Sequence, residues 1–334
     1  MDRRISLLRV VACFMVILLH VSAENFHTFG NKWWAANFFD SLARACVPIF
    51  FMISGATLLS KSESLGDFFR KRFVKTLPPL IFWSVFYLWW LEHNGVQTGN
   101  WIVAILSGPT MFHLWYFYAI IGLYAITPIL RKFYQNSTRA EQASFIGLWL
   151  LVASVYPLGQ SLYQNMQCVD MWLSTLPQTY HLFYLSGYAG YLLLGAFIVE
   201  GRSSVKVGLA LFSAGTAGTI AGTYFLSTHL GAPCEYLYTY LSPFVVLAAC
   251  GLFMAIMALP NAVPSKPLAA LADCSLGIYC VHVIVIDPIF KSHGISATVG
   301  NPWITSMTTT VGVFLVSFVV IFIARKIKPF RYVT

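Results

Sequence analysis

The sequence predicts an all-α protein, a polytopic bundle of transmembrane helices with about ten spans in a single integral-membrane domain, residues 1–334. Composition gives the first reason. Hydrophobic residues make up 58% of the chain and charged residues only 10%, against about one quarter in soluble domains. The mean hydropathy of +0.70 gives the second. A chain with so few charges cannot cover the surface of a water-soluble domain, so we place it in a membrane.

Apolar runs recur along the chain, and most approach the ~20 residues that a helix needs to cross the hydrocarbon core. They predict spans at 5–22, 45–60, 74–91, 114–130, 143–159, 180–199, 207–227, 236–258, 268–290 and 303–324. The second of these runs is short. Longer connections are predicted at 23–44, 61–73, 92–113 and 160–179. Pro78 and Pro79 are expected to distort the start of the third span and to free backbone groups there.

The distribution of basic residues orients this bundle. Nearly all of the 21 lysines and arginines fall in alternate connections or at the two ends of the chain. The opposite connections hold Lys32, Arg44 and Lys291, and Arg9 lies inside the first span. This asymmetry predicts that both termini are cytoplasmic. It also explains the net charge of +9 as a consequence of topology and excludes nucleic acid as the expected partner.

The seven cysteines fall into two groups. Five lie in or near predicted spans, where cysteine is typical of small apolar packing: Cys13, Cys46, Cys250, Cys274 and Cys280. Cys168 and Cys234 lie in two outward connections. The sequence leaves open whether they form a disulfide bond, which an oxidising compartment would allow. No spacing resembles a zinc site, so no metal is predicted.

The first span contains two polar groups that are costly in a membrane, Arg9 and His20, in the run RVVACFMVILLH. On an α-helix, a side chain eleven residues further along points within about 20° of the first, so Arg9 and His20 share a face. The rise between them is roughly 16 Å. Arg9 is suited to bind phosphate, and His20 to act as a general base. The spacing is comparable to the reach of an extended phosphopantetheine arm, so an acyl-CoA could place its phosphates near Arg9 and its thioester near His20.

A purely structural explanation of this pair also stays open, because Arg9 can reach the headgroups while His20 caps the helix end. Glu24 stands one turn beyond His20 and is a candidate to orient its ring as a second catalytic residue. It is equally readable as a carboxylate of the connection.

A second basic run, FFRKRFVKTLPPL at 68–80, precedes or opens the third span. Arg72 and Lys75 within it are candidates for binding donor phosphates. The alternative is that the run anchors the protein to anionic lipid headgroups.

Four further features stay as weaker candidates. His113 and Trp115 are candidate acceptor-site residues at an outer boundary, and an interfacial role remains open for both. His282 lies within the ninth span, where a hydrogen-bonded core role is equally expected. Ser54-Gly55 is interpreted as a point of close helix approach, and the glycines of the seventh span as a second: Gly208, Gly215, Gly218 and Gly222.

Together these runs resemble the acyltransferase-3 family of membrane acyltransferases. RVVACFMVILLH resembles the family's Arg-x10-His signature, VPIFFMISGATLL its Phe-Phe-x-x-Ser-Gly motif, and RFVKTLPPL its Arg-x-x-Arg-x-x-Pro motif. HLWYFYAIIGLYAITPIL and SLGIYCVH also match family patterns. Lys75 stands where the family usually has an arginine. A lysine keeps the positive charge but loses the bidentate geometry of a guanidinium group. The likeness spans residues 4 to about 330 and is closest to single-domain O-acetyltransferases of bacterial surface polysaccharides, of the enterobacterial common antigen type.

The resemblance implies a multi-pass protein of the bacterial inner membrane that transfers an acyl group, acetyl in the first place, from cytoplasmic acyl-CoA. The acceptor is a hydroxyl of a surface polysaccharide or lipid-linked sugar at the outer face. The implied roles are a catalytic base for His20 and donor binding for Arg9, Arg72 and Lys75. Acetyl-CoA is then a co-substrate, with glycan and membrane lipids as partners. Two other functions stay open: a glycan transporter without covalent chemistry, and a non-catalytic membrane scaffold.

Overall fold

The fold is known from a computed structural model that describes residues 2–163, 168, 185 and 187–334. Every regular element in these residues is helical, which confirms the predicted all-α class. The α-helices, in chain order, are α1 (Arg3–Ser22), α2 (Trp33–Ala43), α3 (Cys46–Leu58), α4 (Leu65–His93), α5 (Trp101–Ser107), α6 (Trp115–Asn136), α7 (Arg139–Leu150), α8 (Tyr156–Tyr163), α9 (Ala189–Glu200), α10 (Val205–Leu230), α11 (Pro243–Met257), α12 (Lys266–Ile284) and α13 (Pro302–Ala324).

Eight helical stretches in the described part of the chain are long and apolar enough to cross a membrane. They match eight of the predicted spans. The other two predictions correspond to α4, which contains 74–91, and to the shorter apolar helix α9, which overlaps 180–199. Residues 180–184 and 186 of that prediction lie outside the described residues. The protein is therefore a polytopic helical bundle, and ten spans with cytoplasmic termini remain a prediction.

The prediction that 23–44 is only a connection was wrong. Most of this stretch forms α2, and Trp33–Leu58 is one apolar stretch of 26 residues in which α3 follows α2. The charges of Asp40 and Arg44 concealed it in the sequence. In the structure these two side chains pair, with Arg44 Nε 2.7 Å from the Asp40 carboxylate, so the segment buries a neutral pair instead of two separate charges.

The third predicted span also begins earlier than expected. α4 starts at Leu65, where the Ser64 hydroxyl accepts a hydrogen bond from the Asp67 backbone N–H, and it continues through Pro78 and Pro79 to His93. The prolines lie inside the helix and not at its start. The basic run therefore occupies the first turns of a long helix.

The helix α1 lies at the centre of the bundle and packs against α2, α3, α11, α12 and α13. Leu8, Ala12 and Ile17 on it have no exposed surface. Its first turn is capped by the Asp2 carboxylate, which accepts a hydrogen bond from the Arg4 backbone N–H at 2.8 Å. This central helix carries Arg9 and His20.

Close approach of α3 to α9 confirms the interpretation of Ser54-Gly55. A Cβ atom added to Gly55 would lie 1.8 Å from the Leu192 carbonyl oxygen, and one added to Gly195 would lie 2.2 Å from the Met52 carbonyl oxygen. The two backbones touch directly, and only glycine allows this. The glycine stripe of α10 acts in the same way, since a Cβ atom on Gly208 or Gly215 would meet the backbone of α11.

A disulfide joins Cys168 and Cys234. It settles the question that the sequence left open, and such a bond is typical of residues that face an oxidising compartment. The other cysteines are free thiols, and all except the half-buried Cys250 are buried, as expected for apolar packing.

Candidate active site

Three histidines from separate parts of the chain meet at one end of the bundle. The rings of His20 and His282 lie nearly parallel, with centroids 5.2 Å apart and an interplanar angle of 22°. The His113 ring lies across His282 at 78°, again with centroids 5.2 Å apart. We call these three residues the histidine cluster. Among the described residues, no group of three or more His, Cys, Asp or Glu side chains is arranged to hold a metal ion.

Local structure brings each histidine to this end. His20 is in the last turn of α1, and His282 is in the last turn of α12, before a π-helical segment at Val285–Phe290. His113 lies in a 3₁₀ turn, Phe112–Leu114, that leads into α6. Segments of π-helix are rare and occur often at functional sites.

The members of the cluster differ in their exposure to solvent. His113 and His282 are buried, with 1% and 0% of their surface exposed. His20 is only partly buried, and its ring packs edge-on against the exposed Phe112, with centroids 5.1 Å apart. Of the three imidazoles, His20 is therefore the most exposed to a reactant that approaches from outside.

Hydrogen bonds fix the tautomers of the two buried rings. His282 Nδ1 lies 2.6 Å from the Tyr279 carbonyl oxygen, and His113 Nε2 lies 3.3 Å from the Cys280 carbonyl oxygen. A carbonyl only accepts, so both ring nitrogens carry the proton and donate. The remaining ring nitrogens, His282 Nε2 and His113 Nδ1, are buried and carry a lone pair. Neither has a hydrogen-bond partner in the described part of the protein.

Charged groups surround the cluster at the same end. Glu24 lies in a 3₁₀ turn directly after α1, and its Oε1 is 3.0 Å from Lys291 Nζ. Lys291 also pairs with Asp287 at 2.5 Å, and Asp287 interacts electrostatically with His282. Arg44, held by Asp40, interacts electrostatically with His20.

Arg9 occupies the interior of the bundle on the same helix as His20. It interacts electrostatically with Tyr116 and Tyr124 of α6 and with Asp273 of α12. Tyr124 interacts in turn with both Arg9 and Arg72, so these two cations approach one phenol from different helices. The ring of Tyr116 lies 5.9 Å from that of Tyr279, which is beside the histidine cluster. We call Arg9, Tyr116 and Tyr124 the interior column.

A basic cluster lies at the opposite end of α1 and is formed by Lys71, Arg72 and Arg131 around Glu63. Glu63 Oε1 is 3.2 Å from an Arg72 amino group and 3.0 Å from an Arg131 amino group, and Glu63 Oε2 is 3.2 Å from Lys71 Nζ. Both guanidinium groups also face the ring of the fully buried Phe68, at 5.2 and 4.9 Å from its centroid. Three cations share one carboxylate, so the cluster keeps an excess of positive charge.

Comparison with known protein families shows which family the chain belongs to. A family model described as an acyltransferase domain, that of the acyltransferase-3 family, matches residues 2–325. The chain belongs to the acyltransferase-3 family. No curated protein and no solved structure matches it. Together with its apolar helices, this membership makes the protein a multi-pass membrane acyltransferase.

The structure distributes the predicted site residues of this acyltransferase over both ends of the bundle. His20 and His113 meet in the histidine cluster, Arg9 lies in the interior column, and Arg72 lies in the basic cluster. Glu24 is near His20 in the chain, but its carboxylate pairs with Lys291. Lys75 has an exposed side chain on α4, and the Trp115 ring stacks on that of Tyr240 with centroids 5.6 Å apart. The functional roles of these residues remain predictions.

Sequence reasoning missed several residues of the site. Arg131 was counted only as a charge that orients the bundle, yet its guanidinium binds the Leu58 carbonyl oxygen at 3.1 Å and Glu63 as well. Glu63 was not considered, although it lies only a few residues before the basic run. Lys291 carried a signal of its own, as a rare basic residue of an outward connection.

The ionisation of the Glu63 carboxyl makes the stability contributed by the basic cluster depend on pH. Burial raises its pKa, but hydrogen bonds from Lys71 and Arg131 and the charge of Arg72 outweigh burial, so the pKa lies below its ordinary value of 4.5. A depressed pKa means that the ionised carboxylate stabilises the fold above the pKa of the unfolded chain, and that this stability is lost as pH falls through the lower folded pKa.

We therefore expect Glu63→Gln to lower the melting temperature at pH 7, with a difference from native protein that shrinks below about pH 4.5. Thermal unfolding of detergent-solubilised protein between pH 3 and 7 measures this. Glu200→Gln is the matched control, because Glu200 pairs with Arg139 at only 3.9 Å with both side chains nearly half exposed. A difference for Glu63→Gln that stays constant over this range would contradict the expectation.

Proposed function

We propose that the protein transfers an acetyl group from cytoplasmic acetyl-CoA to a hydroxyl of a surface polysaccharide or lipid-linked sugar at the outer face of the bacterial inner membrane. One observation carries the proposal. His20, the accessible imidazole of the histidine cluster, stands on the same central helix as Arg9, in a chain that belongs to an acyltransferase family.

The donor is proposed to enter at the basic cluster. Arg72 and Arg131 offer two guanidinium groups that suit the phosphates of coenzyme A, and the Glu63 carboxylate that they now share would yield to a more highly charged anion. Arg9 lies further into the bundle, next to Tyr116 and Tyr124. The rise of roughly 16 Å from Arg9 to His20 matches an extended phosphopantetheine arm with its thioester at His20.

The acceptor is proposed to enter at the histidine cluster, where His113 and Trp115 are its candidate contacts. The surroundings of this end suit a sugar, because aromatic rings and polar groups lie side by side. Phe112 is exposed there, and Lys291, Asp287 and Glu24 form a charged rim. Sugar hydroxyls donate and accept hydrogen bonds, and the two unpartnered imidazole nitrogens of the cluster accept them.

Acetyl transfer requires that the acceptor hydroxyl lose its proton and that its oxygen replace the sulfur at the acyl carbon. His20 serves this reaction in one of two ways. It takes the hydroxyl proton while that oxygen attacks the thioester directly, or it carries the acetyl group as a covalent intermediate. The product is the same, a sugar acetyl ester and free coenzyme A.

The test is donor-dependent labelling with purified protein reconstituted in vesicles. Acetyl-CoA carrying a radiolabelled acetyl group is supplied with a crude surface-glycan extract, and label is followed into the glycan. Label in the glycan that depends on the protein supports the proposal. Movement of unlabelled glycan across the vesicle membrane without transfer of label would overturn it in favour of a transporter. A preparation that holds native helical structure and does neither would overturn it as well.

A further inference from the structure

The buried His282 has a proton-accepting ring nitrogen that makes no hydrogen bond within the described part of the fold. Its Nδ1–H is bound to the Tyr279 carbonyl oxygen, which leaves the lone pair on Nε2. This nitrogen is fully buried and has no hydrogen-bond partner in the described residues. A buried polar atom left in this state costs roughly 1–3 kcal/mol, a cost that structural histidines normally avoid through a second hydrogen bond.

The environment of His282 resembles that of a general base. A general base needs a fixed tautomer, an oriented ring and a free lone pair directed at the reactant. The Tyr279 carbonyl fixes the tautomer of His282, and the rings of His20 and His113 hold its plane from two sides. Asp287 interacts with it electrostatically and would stabilise a positive charge on the ring.

His20 has a different environment. It is partly exposed, and packing against His282 and Phe112 holds its ring. Because His282 Nε2 has no hydrogen-bond partner, this nitrogen and the His20 ring are not joined for direct proton transfer. The two imidazoles therefore act side by side on the reactants, and a division of labour between them fits the geometry.

We propose that His282 is a second catalytic residue, the base that deprotonates the acceptor, and that His20 carries the acetyl group. This inference rests on the proposed function and selects the covalent one of its two routes. It assigns to His282 a role in the reaction where the sequence left a core role open.

The first half-reaction consumes the donor. A nitrogen of His20 attacks the thioester carbon, the C–N bond forms and the C–S bond breaks. The departing thiolate takes the proton from the other nitrogen of His20, which leaves neutral acetyl-His20 and free coenzyme A.

The second half-reaction consumes the acceptor. His282 Nε2 takes the hydroxyl proton while the sugar oxygen attacks the acetyl carbon, so that a C–O bond forms and the C–N bond to His20 breaks. The imidazolate of His20, which is partly exposed, takes a proton from water, and His282 gives the proton it accepted to water. Both histidines end neutral, and one sugar ester has formed.

The discriminating variant is His282→Asn. An asparagine amide nitrogen occupies about the position of Nδ1 and can keep the hydrogen bond to Tyr279, but nothing replaces Nε2. We expect this variant to release about one equivalent of coenzyme A per protein and to retain label on His20, as mass spectrometry of peptides would show. Transfer to the glycan extract should fall by roughly 10²-fold or more. His229→Asn is the control, since His229 is exposed at the end of α10, and it should match native protein in both half-reactions.

Three outcomes would overturn the inference. One is transfer by His282→Asn at the native rate. Another is a variant with a native melting temperature that no longer acetylates His20. The third is native protein that labels glycan without any acetyl-His20 in rapid-quench samples, which would leave the proposed function intact. If native protein transferred no label at all, the proposed function itself would fail. If His282→Asn does not fold, His282→Gln is assayed by the same criteria.

Discussion

Replacement of His20 by alanine is expected to abolish acetyl transfer, with a loss of roughly 10³-fold or more relative to native protein. His20 is the most exposed member of the histidine cluster, and His282 cannot carry the acetyl group in its place because its Nδ1–H is bound to the Tyr279 carbonyl oxygen and its Nε2 is the proposed base. The fold should tolerate the change, since the His20 ring lies at the end of α1 and is held by packing against Phe112 and His282. The measurement is the rate of label transfer from acetyl-CoA to surface glycan.

Two further variants give this prediction its contrast. Arg9→Ala should mainly raise the donor concentration needed for half-maximal rate, because Arg9 is proposed to bind the donor. His93→Ala removes an exposed histidine at the end of α4 and should transfer at the native rate. Native activity in His20→Ala would remove His20 from the mechanism. An equal loss in His93→Ala would show that the assay reports a general effect of losing a histidine.

Gly55→Ala is expected to disrupt the bundle, with the largest effect on stability of any single methyl group added along α3. The new Cβ atom would lie 1.8 Å from a backbone oxygen of α9, and a backbone cannot move aside as the end of a side chain can. The helices must separate, so we expect a cost at or above the top of the ~1–3 kcal/mol range for overpacked cores. Thermal unfolding in detergent, followed by intrinsic fluorescence, should show a markedly lower melting temperature.

Gly147→Ala is the matched control for Gly55→Ala. Gly147 lies within α7, and a Cβ atom added there meets nothing within 4 Å. Alanine should therefore be neutral or stabilising at this position, by roughly 0.5–1 kcal/mol, because it restricts the unfolded chain. Equal melting temperatures for Gly55→Ala and native protein would refute the direct backbone contact between α3 and α9.

Local patterns in the sequence predicted the features that depend on local order. Apolar runs located the helices, and the spacing of Arg9 and His20 placed both on one helix, α1, at the centre of the bundle. The pair Ser54-Gly55 indicated a close helix contact because glycine at an apolar helix face has few other uses. Each of these signals is contained within one helix, so the sequence displays it directly.

Features that depend on contacts distant in the chain could not be predicted in the same way. Arg131 reaches Glu63 across 68 residues, and nothing in its surroundings distinguishes it from a charge at a helix end. Lys75 was named for its place in a motif, yet its side chain is exposed, while Arg131 joins Arg72 at the carboxylate. The role proposed for His282 depends on the rings of His20 and His113 beside it, which come from distant parts of the chain.

The shared carboxylate of the basic cluster has a consequence for linkage between ligand and proton. An anion that takes over Arg72 and Arg131 removes interactions that hold the pKa of Glu63 below its ordinary value. The carboxyl then binds a proton more readily, so anion binding at this end is coupled to proton uptake. By reciprocity, the affinity for the anion rises as the surrounding solution becomes more acidic. Glu63 thus makes anion binding sensitive to pH at a point far from the histidine cluster.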